Sequence, residues 1–256
     1  MDSDSPYRDF DLILADKQKT IDKLKKENES LLKIISHDIR APFTQLFAMM
    51  QLLDLENEDI NPTQRHYFDR MYHSLACGME MVQNLHDART LDQESISVVH
   101  EEIRLIPLIE KVSQSFVRLA ALKSIKINFE KGSLDPEISS DSYILEKILA
   151  NILSNAIKYP ADGTEVNITL EKRGDNHVIV IEDGGPGIPN EELVKIYDKY
   201  FKLSTTPTMG ESTTGLGMYL ARKFANLIQG RIEVSNVSDQ GGLRVKIFLP
   251  PENTSD

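Results

Sequence analysis

The chain has 256 residues, 40% apolar and 27% charged, a globular composition that excludes a disordered or fibrous protein. Lys and Arg number 29 against 40 Asp and Glu, a net charge of −11 that argues against coating nucleic acid or an anionic membrane surface. The single cysteine, Cys77, excludes an internal disulfide and an all-cysteine metal site, and no apolar run approaches the roughly 18 residues of a membrane span.

The start, MDSDSPYRDF, is acidic and polar, unlike a secretory signal. A cytoplasmic setting without membrane contact is expected. Of 13 glycines only Gly78 precedes Gly132, and glycine weakens helix interiors. The first hundred residues therefore read as helical. From Leu14 to Ile35 the apolar residues follow a heptad: Leu14, Ile21, Asn28 and Ile35 on one seam position, Leu24 and Leu31 on the other. Residues 1–35 are predicted as a coiled-coil lead-in, with Asn28 as the polar seam residue that fixes register. The helix continues through Phe47 and Leu53 and stops in LENEDINP. Asn61 followed by Pro62 is a helix start. A second helix then runs from Pro62 to about Leu91, with Phe68, Met71, Leu75, Val82 and Leu85 at three- and four-residue steps. Two such helices make an αα-hairpin over 36–94, expected to bury its stripe by forming a dimeric four-helix bundle.

After Asp92 the pattern turns mixed. A strand is predicted near Ile96–Arg104, a helix at Pro107–Leu122, a strand at SIKINFE and a helix at Ser142–Tyr159. EVNITLEK and HVIVIED flank RGDN as a hairpin. A short helix near Asn190, a polar stretch, a helix at Leu216–Ile228 and the strands RIEVSNV and LRVKIFLP follow. Residues 95–251 read as an α/β sandwich, a mixed sheet with helices on one face. The tail 252–256 is expected to be disordered.

Three clusters in this half carry chemistry. On the helix NILSNAIKY, Asn151, Asn155 and Lys158 share a face. Two carboxamides and an ammonium suit a nucleotide–Mg²⁺ complex, although a capped surface helix would carry the same residues. In Asp183-Gly-Gly-Pro-Gly-Ile-Pro, after a strand, a carboxylate could accept a hydrogen bond from an exocyclic amine while Gly185 and Gly187 admit a flat ligand. An ordinary turn has the same composition. Gly215-Leu216-Gly217 opens a helix and could cradle phosphate, though GxG alone is weak and no P-loop motif is present. Residues 199–214 between them read as a flexible loop or a lid over nucleotide.

The order of these motifs resembles that of two-component sensor histidine kinases, members of the gyrase, chaperone and histidine-kinase (GHKL) ATP-binding superfamily. NILSNAIKY is similar to the family's asparagine box, DGGPGIP to its first glycine box, IYDKYFKL to its phenylalanine box and TTGLGM to its second glycine box. Ser36-His37-Asp38-Ile39-Arg40-Ala41-Pro42-Phe43 resembles its phosphoacceptor box. The resemblance spans roughly residues 20–250.

It implies that ATP phosphorylates His37 and that the phosphoryl group then passes to an aspartate on a response regulator receiver domain. An imidazole of ordinary pKa near 6.5 is a largely neutral nucleophile at pH 7. Asp38 would orient His37 and accept its proton, Arg40 would steady the phosphate, and Pro42 would bend the helix. Asn155 would bind Mg²⁺ with Asn151 assisting, Lys158 and Lys202 would meet phosphates, and Tyr159 would pack by adenine. Asp183 would hold the adenine amine; Gly185, Gly187, Gly215, Leu216 and Gly217 would shape the pocket.

The chain departs from the family at Ala41, where Thr or Asn often positions water for dephosphorylating the regulator; phosphatase activity is expected to be weak or absent. No sensor domain is visible before the coiled coil and no receiver domain after Pro250, which fits a free-standing core or the cytoplasmic part of a membrane-anchored sensor. Two rivals stay open: a nucleotide-binding dimeric scaffold without turnover, and another superfamily ATPase or serine kinase.

Overall fold

Heptad spacing and the absence of glycine give one 51-residue helix, α1 (Pro6–Glu56). The computed structural model describes residues 6–56, 60–93, 96–132, 135–174, 176–238 and 241–250, without the side chains at 6–9, 11–12, 25–26, 28–37, 55–56 and 93. The tail 252–256, part of the inter-helix loop and the side chains of Asn28, Leu31, Ile35 and His37 thus lie outside the described residues. Helix α1 runs on through Pro42.

The second helix, α2 (Pro62–Gln93), starts at a reciprocal cap. The Asn61 side chain accepts from the Gln64 N–H at 2.9 Å, and the Gln64 side chain accepts from the Asn61 N–H at 3.1 Å, satisfying two donors that a helix start leaves free. The helices pack as a hairpin: Phe47 lies against Tyr72 with ring centroids 5.2 Å apart, and Met50 is buried with Phe68 and Tyr72. A Cβ at Gly78 would fall inside the Phe43 ring, so this contact needs glycine. Leu14, Ile21, Leu24, Leu46, Met49, Leu52 and Met71 remain exposed, an apolar stripe that one chain leaves uncovered.

The remaining elements are β1 (Glu101–Arg104), α3 (Leu105–Ala121), β2 (Lys126–Glu130), β3 (Glu137–Ser140), α4 (Ser142–Lys158), β4 (Glu165–Arg173), β5 (Asn176–Asp183), α5 (Asn190–Leu193), α6 (Gly217–Leu227), β6 (Arg231–Ser238) and β7 (Gly241–Phe248). Five strands form a mixed sheet in the order β2-β4-β5-β7-β6, with β2 parallel to β4 and the other neighbours antiparallel. Ile168, Ile179, Ile181 and Val245 of the sheet share one buried core with Ile148 and Ile152 of α4 and Leu220 and Phe224 of α6. The central strand β5 is buried on both faces, because Val178 and Val180 meet Phe248 in a second cluster.

Two details differ from the sequence expectation. The strand expected from Ile96 begins only at Glu101, and its partner β3, absent from the sequence reading, pairs Ile138 with Ile103. Asp141 caps α4 by accepting from the Ile144 N–H at 3.0 Å, while its other oxygen takes the Val99 N–H at 2.9 Å. One carboxylate therefore fixes both the helix start and the segment arriving from the hairpin.

Candidate functional site

A cleft opens between α4, the end of β5, the 184–188 turn, the 199–215 segment and the start of α6. Its apolar wall is Ile181, Ile188, Ile196, Leu203, Leu243 and Val245, supplied by the sheet and the segments crossing its edge. Asn155, Lys158, Tyr159, Asp183, Gly187, Gly215 and Gly217, from three separate stretches of sequence, all line it.

Asp183 sits where β5 leaves the sheet. Its Oδ1 accepts from the Gly185 N–H at 2.8 Å and the Leu243 N–H at 3.3 Å. Burial pushes its carboxyl up to about 6, against those two hydrogen bonds. Desolvating a carboxylate to this degree suits a group that waits for a donor from a ligand. The turn after it is held by Asn236, whose amide takes the Ile188 N–H and donates to the Ile188 carbonyl, both at 2.8 Å. An asparagine inside strand β6 is out of place by strand preference, a signal for its role that the sequence reading passed over. Gly187 has φ +72°, and a Cβ there would meet the Asn236 side chain. A Cβ at Gly185 would lie 2.8 Å from the Asp183 carboxylate; Gly185 shapes the turn without lining the cleft.

At the other end, Gly215 has φ +66°, and a Cβ would come within 2.5 Å of the Phe201 carbonyl oxygen. Gly217 faces Asn155: a Cβ there would lie 3.3 Å from the Asn155 amide nitrogen. Leu216 is wholly buried in the core and anchors the turn from behind. The free N–H groups at the start of the 11-residue α6 give this end of the cleft its positive potential.

The asparagine face divides. Asn155 lines the cleft, while the Asn151 amide turns back to donate to the Lys147 carbonyl at 2.8 Å and borders a second cavity between α2 and α3. Tyr159 is half-buried; burial raises its hydroxyl, with a hydrogen bond from Thr213 working against the shift. Lys158 is buried, and its ammonium meets the two oxygens of Glu80 at 2.6 and 2.7 Å. Glu80, Met81 and Asn84 of α2 also line the cleft, a wall that helical periodicity gave no reason to expect.

Lys202 is exposed and does not line the cleft. Its neighbour Lys199 instead reaches Asp92 of α2 at 2.5 Å. The 199–214 segment, read as a flexible loop or lid, is tied at further points besides Lys199. Thr208 donates from its N–H to the Lys158 carbonyl at 3.1 Å and from its hydroxyl to the Pro160 carbonyl at 2.9 Å. Glu211 is buried against His73 of α2 at 3.3 Å. Asp38 and Arg40 lie on α1, Asp38 exposed and Arg40 half-buried. His37 is in α1, its side chain outside the described residues. Among the described residues no cluster of three or more His, Cys, Asp or Glu could hold a metal, and no helix is long and apolar enough to cross a membrane. The Asn155 amide is one of the side-chain oxygen donors the cleft offers a hard cation, beside those of Glu80, Asn84 and Asp183.

Residues 140–253 match the family described as histidine kinase-, DNA gyrase B-, and HSP90-like ATPase. Over 95% of its length the chain is 22% identical to the sensor histidine kinase YvrG of Bacillus subtilis, covering 44% of that protein. It is 26% identical to the adaptive-response sensory kinase SasA of Crocosphaera subtropica, over 88% of this chain and 60% of that one. The chain thus spans about half the length of these curated relatives. Among solved structures, full-length ShkA in complex with AMPPNP superposes with a TM-score of 0.62 at 24% identity, over 89% of this chain and 47% of that one. The Acinetobacter baumannii histidine kinase AdeS superposes at 0.56 and 19% identity, over 85% of this chain and 98% of that one.

Proposed function

We propose, from the premise that residues 140–253 form a histidine kinase-, DNA gyrase B- and HSP90-like ATPase domain in a chain related to sensor histidine kinases, that the protein is an ATP-dependent protein histidine kinase. It phosphorylates its own His37 and passes the phosphoryl group to an aspartate of a response regulator. The observation that carries this reading is the convergence of Asn155, Lys158, Asp183 and Gly215 on one cleft beside a helical hairpin.

Asp183 accepts the exocyclic amine of adenine, the one polar contact at the deep apolar end. Tyr159 and Ile188 flank the base. Lys158 and the N–H groups at the start of α6 meet the phosphates. The Asn155 amide oxygen would hold Mg²⁺, and Asn151, one turn behind, would assist once its amide leaves the Lys147 carbonyl; Lys202 is a phosphate contact only if its segment moves. Magnesium would supply charge neutralisation to the triphosphate. His37 attacks the γ-phosphorus through a ring nitrogen, the bond to the leaving oxygen breaks, and Asp38 takes the imidazole proton. The work is positioning and charge neutralisation.

Residues 36–94 serve as the dimerisation and phosphoacceptor unit, 95–251 as the catalytic unit, and 1–35 as a coiled-coil lead-in. The exposed stripe on α1 and α2 supports a homodimer closing a four-helix bundle. A cytoplasmic site of action follows from the partner class.

The test is incubation with γ-labelled ATP and Mg²⁺. His37→Ala should abolish acid-labile labelling and leave nucleotide binding intact. Labelling that survives in that variant moves the acceptor elsewhere, and acid-stable label identifies a different phosphotransfer. Mixing His37→Ala with Asn155→Ala chains then reads whether transfer crosses the dimer.

A further inference from the structure

The ammonium of Lys158 already has an anion. Glu80 of α2 gives it both carboxylate oxygens, and the Ser154 hydroxyl donates to the same carboxylate at 2.9 Å. The lysine side chain is 9% exposed and the glutamate 28%, so water screens the pair only in part. The carboxylate thus stands where a phosphate oxygen would otherwise complete the lysine's coordination.

This pair belongs to a row of four ion pairs that put the acid on the hairpin, whereas the His73–Glu211 tie runs the other way. Asp54, Glu80, Asp87 and Asp92 lie on the hairpin; Arg118, Lys158, Lys147 and Lys199 face them from the α/β half, at 2.7, 2.6, 2.8 and 2.5 Å. Arg118 also stacks on Tyr72, 3.9 Å from the ring centroid. Acid on one surface and base on the other hold the two halves in one register. The same register keeps Glu80, Met81 and Asn84 in the wall of the cleft.

A triphosphate entering this cleft meets a carboxylate seated on the lysine it needs. Like charges disfavour sharing the site, and one ammonium cannot fully satisfy both. Resting on the nucleotide-site reading above, we propose that the docked hairpin restrains the kinase by letting Glu80 substitute for phosphate at Lys158. Triphosphate binding and release of α2 are then coupled. Coupling is reciprocal: a movement of the hairpin that draws Glu80 away tightens nucleotide binding, and bound triphosphate loosens the docked register. Because α2 is continuous with the dimer stem, strain on the stem reaches the cleft through this one carboxylate.

The test is titration calorimetry on the full chain with Mg-ATP and, separately, with adenosine, which has no phosphate. Glu80→Gln keeps the shape and removes the charge. It should tighten Mg-ATP about tenfold and change adenosine by less than about twofold. Asp92→Asn, remote from Lys158 but part of the row, should tighten Mg-ATP about threefold. Unchanged or weaker Mg-ATP binding by a folded Glu80→Gln chain overturns the proposal, weaker binding making Glu80 a contact of the bound complex. A gain confined to Glu80→Gln, with Asp92→Asn unchanged, overturns the coupling to docking. Wild-type protein that binds neither ATP nor adenosine overturns the nucleotide-site reading itself.

Discussion

The ammonium of Lys123 lies 2.9 Å from the backbone carbonyl of Lys158 and 2.7 Å from that of Ile157, capping the C-terminus of α4 from inside the protein. Lys123 is 1% exposed, and burial lowers its pKa. The carbonyls at a helix end carry partial negative charge, which offsets part of the cost of that burial. Lys123→Met leaves the Ile157 carbonyl without this donor and loosens the turn bearing Lys158, Tyr159 and the Thr208 tie. It should lower stability by about 1–3 kcal/mol, read as an earlier urea midpoint, and weaken nucleotide binding. An unmoved midpoint would refute the capping role.

The buried Asp183 carboxylate costs the fold stability. Its carboxyl is raised from 3.8 to about 6 by burial, so the folded state holds this proton more tightly than the unfolded state does. Stability from this group therefore grows as pH falls through about 6 towards 3.8. At pH 7 the ionised form costs the fold roughly 2–3 kcal/mol. Asp183→Asn keeps the Oδ1 acceptor for Gly185 and Leu243 and drops the charge. We expect a higher Tm at pH 7, a flatter Tm profile between pH 4 and 7, and ATP binding weakened at least about tenfold. A lower Tm with unchanged affinity would contradict both halves of the argument.

His73 and Glu211 tie the 199–214 segment to α2. Hydrogen bonds with the Cys77 sulfur and the Glu211 carboxylate raise His73 from 6.5 to about 9. A histidine raised on folding contributes fully below its unfolded pKa and loses that contribution as pH rises through the folded value. The tie should therefore hold at pH 7 and fail above about 9. Amide exchange at 205–213 should accelerate over that range, and His73→Gln should show fast exchange at every pH. Slow exchange in the variant at pH 7 would remove His73 from the tie.

Gly215 and Gly210 both have left-handed φ, +66° and +76°, yet their surroundings differ. A Cβ at Gly215 strikes the backbone of Tyr200 and Phe201, whereas at Gly210 nothing lies within 4 Å. Gly210→Ala should cost about 1 kcal/mol of backbone strain and spare nucleotide binding. Gly215→Ala should cost about 2–3 kcal/mol or more and abolish binding, because the turn before α6 must shift. Equal effects on Tm and affinity would count against the close approach.

Much of this was readable before folding. The Asn61–Pro62 start of α2 follows from local hydrogen bonding, and the scarcity of glycine before Gly132 set the helical half apart. The strands flanking Arg173 to Asn176 alternate plainly enough to pair as expected. Strand β3 escaped notice because EISS has one apolar residue, and only its register against Ile103 makes it a strand. Lys202 and Lys199 were indistinguishable by type and spacing. The chain path sends Lys199 to Asp92 and leaves Lys202 in solvent.

The sequence by itself determined what each segment can do locally: periodicity chose helix or strand, glycine marked the turns, and the motif order supplied the resemblance on which the proposed chemistry rests. The tertiary structure decided which charge meets which. Glu80 and Lys158 are 78 residues apart, and no periodicity links an acid on one helix to a base on another. An ion pair depends on distance and burial in three dimensions, so the partner of Lys158 emerged only when the hairpin and the sandwich were seen side by side.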